Sequence, residues 1–166
     1  MNYLNLTPKQ FCDATDACDN GYVFAITCQT MTEVWDKCPR PDWLLWILDK
    51  LDRQADDRTL RLFAVWCVRN TPLSDGRKTG DVLTDPRSLA ALEVVERYAH
   101  GNATDKELAA ARAVAWDAAR AAAWDAATDA ARAAARAAAW DAAWAAQADQ
   151  LRKMIPNPFA MEEGAA

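Results

Sequence analysis

Alanine dominates the last third of the chain, and a regular series of tryptophan, arginine and threonine recurs there at every fourth residue. The series is Arg112, Trp116, Arg120, Trp124, Thr128, Arg132, Arg136, Trp140 and Trp144. Alanine has the highest intrinsic helix propensity, and neither glycine nor proline interrupts the stretch. Thr104 with Glu107 has the spacing of a capping box, and Pro156 marks a stop. The pattern predicts one helix over 104–153, about 49 residues and about 73 Å long.

A helix of that length constrains the rest of the molecule. A compact domain of this size is only roughly 40 Å across. The helix must therefore overhang the domain, bend, or be covered by a second chain. The fourfold spacing also drifts by about 40° per repeat, which places Trp144 about 280° around the axis from Trp116. Because the tryptophans do not share one face, we expect a homodimer that buries the distal half of the helix.

The residues before the repeat carry the start and stop signals of short helices. Thr7-Pro8 and Asp85-Pro86 predict helix starts, and Thr30 with Glu33 predicts another. The helix after Pro86 is expected to bury one face, formed by Leu89, Leu92, Val94, Val95 and Tyr98. Two strongly apolar segments, 41–51 and 60–70, also read as helices, and with Trp35 they form the expected core. A further short helix is expected over 22–28, because no partner strand is present elsewhere in the sequence.

The predicted fold class is all-α. We expect a bundle of short helices packed on one very long C-terminal alanine-rich helix, in a single domain over 1–166. The bundle occupies 1–101, the long helix 104–153 and an extended tail 154–166. Gly101 between the last short helix and the long one predicts a helical hairpin at that point. The loop 71–85, which contains Pro72, is the one long interruption, and both a structural and a binding role remain open for it.

Composition excludes several classes of function. The net charge of −5 argues against a nucleic-acid partner. The longest apolar run, Trp43 to Leu48, is too short to span a membrane, and the N-terminus has no signal-peptide pattern, so we expect a cytoplasmic protein. The five cysteines are odd in number and lack CxxC pairs, and His100 is the single histidine. We therefore expect reduced, buried thiols, and neither a metal nor a cofactor.

Catalytic groups do not gather in the sequence. The paired carboxylates Asp56-Asp57 and Asp13 with Asp16 lie on polar helix positions and have no histidine nearby. His100 falls at a helix end, where a capping or solvated role is expected. The sequence therefore predicts a protein that is not an enzyme.

Several segments resemble those of one family. They are Cys38–Trp46 (CPRPDWLLW), Leu60–Ala64 (LRLFA), Ala91–Ala99 (ALEVVERYA), Thr104–Arg112 and Leu151–Phe159. The family consists of alanine-rich helical proteins of bacteria and their phages that are labelled immunity proteins. The resemblance implies a small inhibitor that binds another protein and has no catalytic residues. The chain departs from the family pattern in its longer 71–85 loop.

Two classes of function remain. The first is a protein-binding inhibitor, either an immunity protein against a toxin or a phage protein that disables a host defence such as CRISPR. The alternative is a structural or assembly protein that oligomerises through the long helix. Tryptophan and arginine are over-represented in protein interfaces. We therefore expect the partner to contact Arg132, Arg136, Trp140 and Trp144, with Arg77 and Lys78 of the loop as a second contact.

Overall fold

The computed structural model describes residues 3–53, 56–126 and 133–160, with side chains described for 3–53, 56–115 and 140–160. In these residues the regular structure is nine helices, and the one extended pairing is an isolated antiparallel bridge between Pro72 and Lys78. The predicted all-α class is confirmed. None of the described helices is long and apolar enough to cross a membrane.

Capping side chains start three helices where the sequence predicted them, after Thr7, Thr30 and Asp85. The helix expected over 22–28 instead spans Asp19–Ala25 and has no side-chain cap. In chain order the helices are α1 (Pro8–Thr15), α2 (Asp19–Ala25), α3 (Met31–Lys37), α4 (Pro41–Lys50), α5 (Asp57–Asn70), α6 (Thr79–Val82), α7 (Pro86–Ala99), α8 (Asp105–Ala126) and α9 (Ala133–Met154). The side chain of Thr7 accepts a hydrogen bond from the backbone N–H of Gln10, and that of Asp85 accepts one from the N–H of Arg87. Each bond satisfies an N–H group that has no partner within the helix.

The alanine-rich region contains two described helices, α8 and α9, of 22 residues each. The predicted capping box is present: the N–H of Glu107 donates to Thr104 Oγ1 at 3.2 Å, and Thr104 N donates back to Glu107 Oε2 at 2.7 Å. The segment 127–132 lies outside the described residues. One helix over 104–153 therefore stays a prediction.

Contacts divide the chain into two compact units. The first unit is Met1–Ala55 with Gln147–Ala166, and the second is Asp56–Ala146. The sequence placed α4, α5 and Trp35 in a common core, but α4 and Trp35 belong to the first unit and α5 to the second. Each unit has buried side chains of its own. The single domain over 1–166 stays a prediction, and the units are described one at a time.

The first unit buries side chains from α1 to α4 and from the end of α9. Representative buried residues, one from each helix, are Phe11, Ala25, Trp35, Leu44 and Leu151. The start of the tail packs into this unit, because Phe159 is buried and its ring meets that of Phe11 edge-on at 6.2 Å. Phe159 therefore anchors the start of the tail in this unit, while 161–166 lie outside the described residues.

Arg152, near the end of α9, forms hydrogen bonds to the end of α3. Its Nη1 donates to the carbonyl oxygens of Trp35 at 3.2 Å and Cys38 at 2.7 Å. Its Nη2 donates to Asp149 at 2.6 Å. The last carbonyls of a helix have no intrahelical partner, so a guanidinium is a suitable donor for them.

The second unit is built on α5, α7 and α8. Its buried apolar residues are Phe63 and Val65 on α5, Ala91 and Ala99 on α7, and Leu108 and Ala111 on α8. The predicted hairpin between α7 and α8 is confirmed. Gly101 has a φ of 75°, and the N–H of Asn102 donates to the carbonyl of Arg97 at 2.8 Å. This is the glycine-dependent bond pattern that ends many helices.

Candidate functional site

The structure brings together two of the four predicted contact residues of the repeat. Trp140 and Trp144 lie one turn apart on α9, with ring centroids 5.6 Å apart and planes at 74°. Arg136 also lies in α9, but its side chain is outside the described part of the structure, and Arg132 is outside it altogether. The observed pair is an edge-to-face contact, the favourable arrangement for two aromatic rings.

Trp140 leaves a large apolar surface open to solvent. Its side chain is 56% exposed, whereas Trp144 is half-buried. Tryptophan combines a large contact area with an N–H donor, which makes an exposed one a frequent anchor for a partner protein. The geometry of this pair is therefore compatible with the predicted role.

The 71–85 loop is more structured than the sequence indicated. Its first half is a small antiparallel hairpin, in which Leu73 N donates to Arg77 O at 2.8 Å and Thr79 N to Thr71 O at 2.9 Å. Gly76 permits the turn with a φ of 82°. The second half contains α6, whose Gly80 lies so close to α5 that a Cβ there would be 2.6 Å from the carbonyl oxygen of Arg69. Close backbone packing thus explains one of the loop glycines.

The two basic residues predicted as a second partner contact, Arg77 and Lys78, lie beside carboxylates. Arg77 donates to Asp75 from Nε at 2.8 Å and from Nη2 at 2.6 Å, and these bonds hold the pKa of Asp75 below its usual value. Asp81 accepts the backbone N–H of Lys78 at 2.8 Å. Arg77 and Lys78 are exposed, but two acidic groups within the same turn offset their charge. A partner would therefore meet paired charges at this tip.

The structure contains an apolar groove between α5, α7 and α8 that was not predicted from the sequence. Its volume is about 250 Å³, and its apolar lining consists of Val68, Leu83, Ala91, Leu92, Val95, Ala111 and Ala115. The polar groups along it come from Ser88 and Arg112. Surfaces of this composition favour apolar partners, because few polar groups have to be desolvated.

Exposed aliphatic side chains accompany this groove. Val68 and Val82 are each 40% exposed, and Leu89 and Val114 are each 42% exposed. Val68 lines the groove, and each of the others is the chain neighbour of a residue that does. We name these four residues the aliphatic rim. The sequence assigned Leu89 to the buried face of α7, which is wrong, because that residue lies on the solvent side of the helix.

The groove was missed because its walls come from segments that are far apart in sequence. One feature of the sequence pointed to the groove. Val114 is the only valine in 104–153, a stretch that consists mainly of alanine. A branched aliphatic residue in an alanine helix marks a place where the helix contacts something. The sequence does not show whether that contact is internal or with a partner.

The five cysteine thiols differ in their burial. Cys12, Cys28 and Cys38 are buried, Cys67 is half-buried and Cys18 is exposed, so the expectation of buried thiols fails at Cys18. Burial raises the pKa of Cys38 and of Cys67 to about 11, which keeps both thiols protonated near neutral pH.

His100 is exposed at the C-terminal end of α7, and its Nδ1 lies 3.0 Å from Arg58 Nη2. Among the side chains described for 3–53, 56–115 and 140–160, no three His, Cys, Asp or Glu converge in the manner of a metal site.

Comparison of the chain with protein-family models, with curated proteins and with solved structures gives no match. The resemblance to alanine-rich immunity proteins therefore stays an expectation from the sequence.

Proposed function

We propose that the chain is a non-enzymatic inhibitor that acts in the cytoplasm by binding another protein. It would serve as an immunity protein against a toxin or as a phage protein that disables a host defence of the CRISPR kind. The observation that supports this proposal is the apolar groove of the second unit together with its aliphatic rim. An apolar groove with exposed aliphatic side chains near it is a frequent feature of interaction sites.

The groove suits a partner that presents an apolar ridge, such as one face of a helix. Helix-in-groove recognition places anchor residues one turn apart into an apolar channel. Burying an exposed aliphatic side chain stabilises a complex by about 25 cal/mol for each Å² removed from water. The four rim residues would supply that area, while Ser88 and Arg112 would orient the partner.

The tryptophan–arginine series of the repeat is the proposed second part of the surface. It consists of Arg132, Arg136, Trp140 and Trp144, with Arg77 and Lys78 as a further contact. The exposure of Trp140 supports its inclusion. Tryptophan and arginine dominate the binding energy of many interfaces because both offer large area and a polar group.

The alternative function is assembly, in which the partner is a second copy of the chain. We propose a continuous helix over 104–153, which would be about 73 Å long and would expose its distal part unless another chain covers it. The exposed Trp140 favours this alternative, since a second helix would bury it. A homodimer is also compatible with the inhibitor, whose target would then occupy the groove.

A paired substitution tests the proposal. Leu89→Arg combined with Val114→Arg places two charges on the aliphatic rim. It should abolish copurification of the target, and with it the protection of cells from the toxin or of phage from the host defence. Val23→Arg is the matched control, because Val23 is 62% exposed on α2 of the first unit. It should retain full protection.

Two results would contradict the proposal. Full protection by the Leu89→Arg, Val114→Arg chain, with an unchanged helical circular dichroism spectrum, would remove the groove as the interface. Copurification of nothing but further copies of the chain, together with no protection, would favour assembly instead.

A further inference from the structure

The first unit contains a second apolar space, distinct from the groove described above. This cavity has a volume of about 380 Å³ and is lined by residues of α1 to α4 and of the turns between them. Four aromatic rings contribute to its wall: Phe11, Phe24, Trp43 and Trp46. Asp16 and Cys18 also line it and are exposed, so the cavity reaches the surface beside them. Its size lies in the range of small-molecule sites, which is about 300–1,000 Å³.

The charged groups that line this cavity are two carboxylates, Asp16 and Asp42, and no described lysine, arginine or histidine lines it. Arg40 binds Asp42 in a bidentate manner, with Nε at 2.9 Å and Nη2 at 2.8 Å, and so balances its charge. Burial raises the pKa of Cys12 and Cys38, so these lining thiols are neutral. Asp16 is thus the source of a net negative charge at the mouth.

The tryptophans of the wall already attract cations from outside the cavity. The guanidinium carbon of Arg40 lies 5.0 Å from the ring centroid of Trp43, and Lys50 Nζ lies 5.7 Å from that of Trp46. Neither cation is among the lining residues. The faces of indole rings carry negative quadrupole potential, which favours cations over anions as their neighbours.

We propose that this cavity binds a small organic cation: an ammonium group attached to an aromatic body. The body occupies the space between the aromatic rings, and the ammonium lies at the mouth beside Asp16. Charge complementarity carries the choice, because an anion of the same shape would meet the Asp16 carboxylate and a lining without a cationic side chain. The site does not depend on the protein-binding role of the second unit.

Three probes of the full-length protein test the proposal. They are 2-phenylethylammonium, 3-phenylpropionate of similar shape but opposite charge, and butylammonium, which keeps the charge and lacks the ring. Binding is followed through the indole N–H signals in nitrogen-15 NMR spectra, assigned with Trp43→Phe and Trp46→Phe. We expect 2-phenylethylammonium to shift the Trp43 and Trp46 signals and to bind more than about tenfold tighter than either other probe.

Two exposed aspartates with nearly equal positive φ give a matched pair of variants. Asp16 and Asp52 are exposed and have φ of 53° and 52°, a region that asparagine also tolerates. Asp16→Asn should weaken binding of 2-phenylethylammonium about fivefold, and Asp52→Asn should leave it unchanged. Raising the salt concentration of the wild-type solution to about 1 M should also weaken it, which tests the charge without any substitution.

Four results would overturn the proposal. The first is no shift of either indole signal at about 10 mM 2-phenylethylammonium. The second is equal or tighter binding of 3-phenylpropionate, and the third is equal binding of butylammonium, which would make the aromatic body irrelevant. The fourth is equal weakening by Asp52→Asn and Asp16→Asn, which would indicate general attraction to an acidic protein.

Discussion

Arg152 joins two parts of the first unit that are more than a hundred residues apart in sequence. Its guanidinium serves carbonyl groups at the end of α3 and a carboxylate on its own helix at the same time. The side chain is only 19% exposed, so these carbonyls have little access to water as an alternative. A hydrogen bond from a charged donor contributes more than a neutral one, about 1.5–3 kcal/mol.

Arg152→Met should therefore lower the free energy of unfolding by about 2–3 kcal/mol, because it keeps the apolar stem and removes the donors. Urea unfolding monitored by circular dichroism measures this difference. Lys153→Met is the control, since Lys153 is exposed and adjacent, and it should change stability by less than about 0.5 kcal/mol. Equal effects of the two substitutions would show that the carbonyl bonds contribute nothing specific.

Asp85 illustrates a different single-residue effect, the coupling of a cap to pH. Its carboxylate accepts a hydrogen bond from Arg87 Nη2 at 2.7 Å and another from the N–H of Arg87 at 2.8 Å. These bonds lower the pKa of Asp85 from 3.8 to about 2. Because the folded-state pKa is the lower one, the stabilisation is fully present above about pH 4 and is lost as the pH falls towards 2.

Arg87→Gln removes the guanidinium and should raise the pKa of Asp85 towards 3.8, while the backbone N–H bond remains. The titration of the side-chain carboxyl carbon in NMR spectra measures the shift. Arg77→Gln serves as the control, since Arg77 pairs with Asp75 and should leave the Asp85 titration unchanged. A pKa of Asp85 near 3.8 in the unsubstituted protein would contradict the structure.

At the scale of elements, Gly80 holds α6 against the end of α5. The close approach to the carbonyl of Arg69 involves backbone on both sides, so no side-chain rotation relieves a clash there. Thr79 Oγ1 adds a hydrogen bond to the carbonyl of Cys67 at 3.2 Å. Two neighbouring residues, Thr79 and Gly80, thus hold the hairpin and α6 against α5.

Gly80→Ala should destabilise the protein by about 1–3 kcal/mol, the usual range for a substitution that forces backbone to shift. Gly21→Ala is the matched control. There the added Cβ would meet Cys18 Sγ at 3.3 Å, and alanine is favoured over glycine within a helix. Melting temperatures of the two variants would measure the contrast. A Gly80→Ala protein as stable as the wild type would mean that the two backbones separate easily.

The helices of this chain were largely predictable, because their signals are local. Thr7, Thr30 and Thr104 each start a helix through a bond to a backbone N–H three residues later, which a sequence pattern captures. The packing was less predictable. Leu89 reads as one member of a buried stripe, and only the positions of α5 and α8 decide that it faces solvent. The cavity beside Asp16 is likewise assembled from four helices whose arrangement no local pattern encodes.

At the scale of the whole molecule, the exposed indole of Trp140 bears on assembly. Trp140 is exposed, although tryptophan is the side chain that gains most from burial. Alanine flanks allow a second helix to approach closely, and a drifting stripe lets it wrap around the first. A second copy of the chain supplies such a helix without a different protein, and closed dimers are the commonest soluble assemblies.

We therefore expect a homodimer in solution, with the distal half of the repeat between the chains. Light scattering at micromolar concentration should give a mass near twice that of one chain. Trp140→Glu should shift the protein to the monomer, because a carboxylate would be buried without a partner. Val23→Glu introduces the same charge at another exposed apolar site on α2 and should leave the dimer intact. A wild-type protein that scatters as a monomer, with Trp140 fully accessible to a fluorescence quencher, would contradict the dimer.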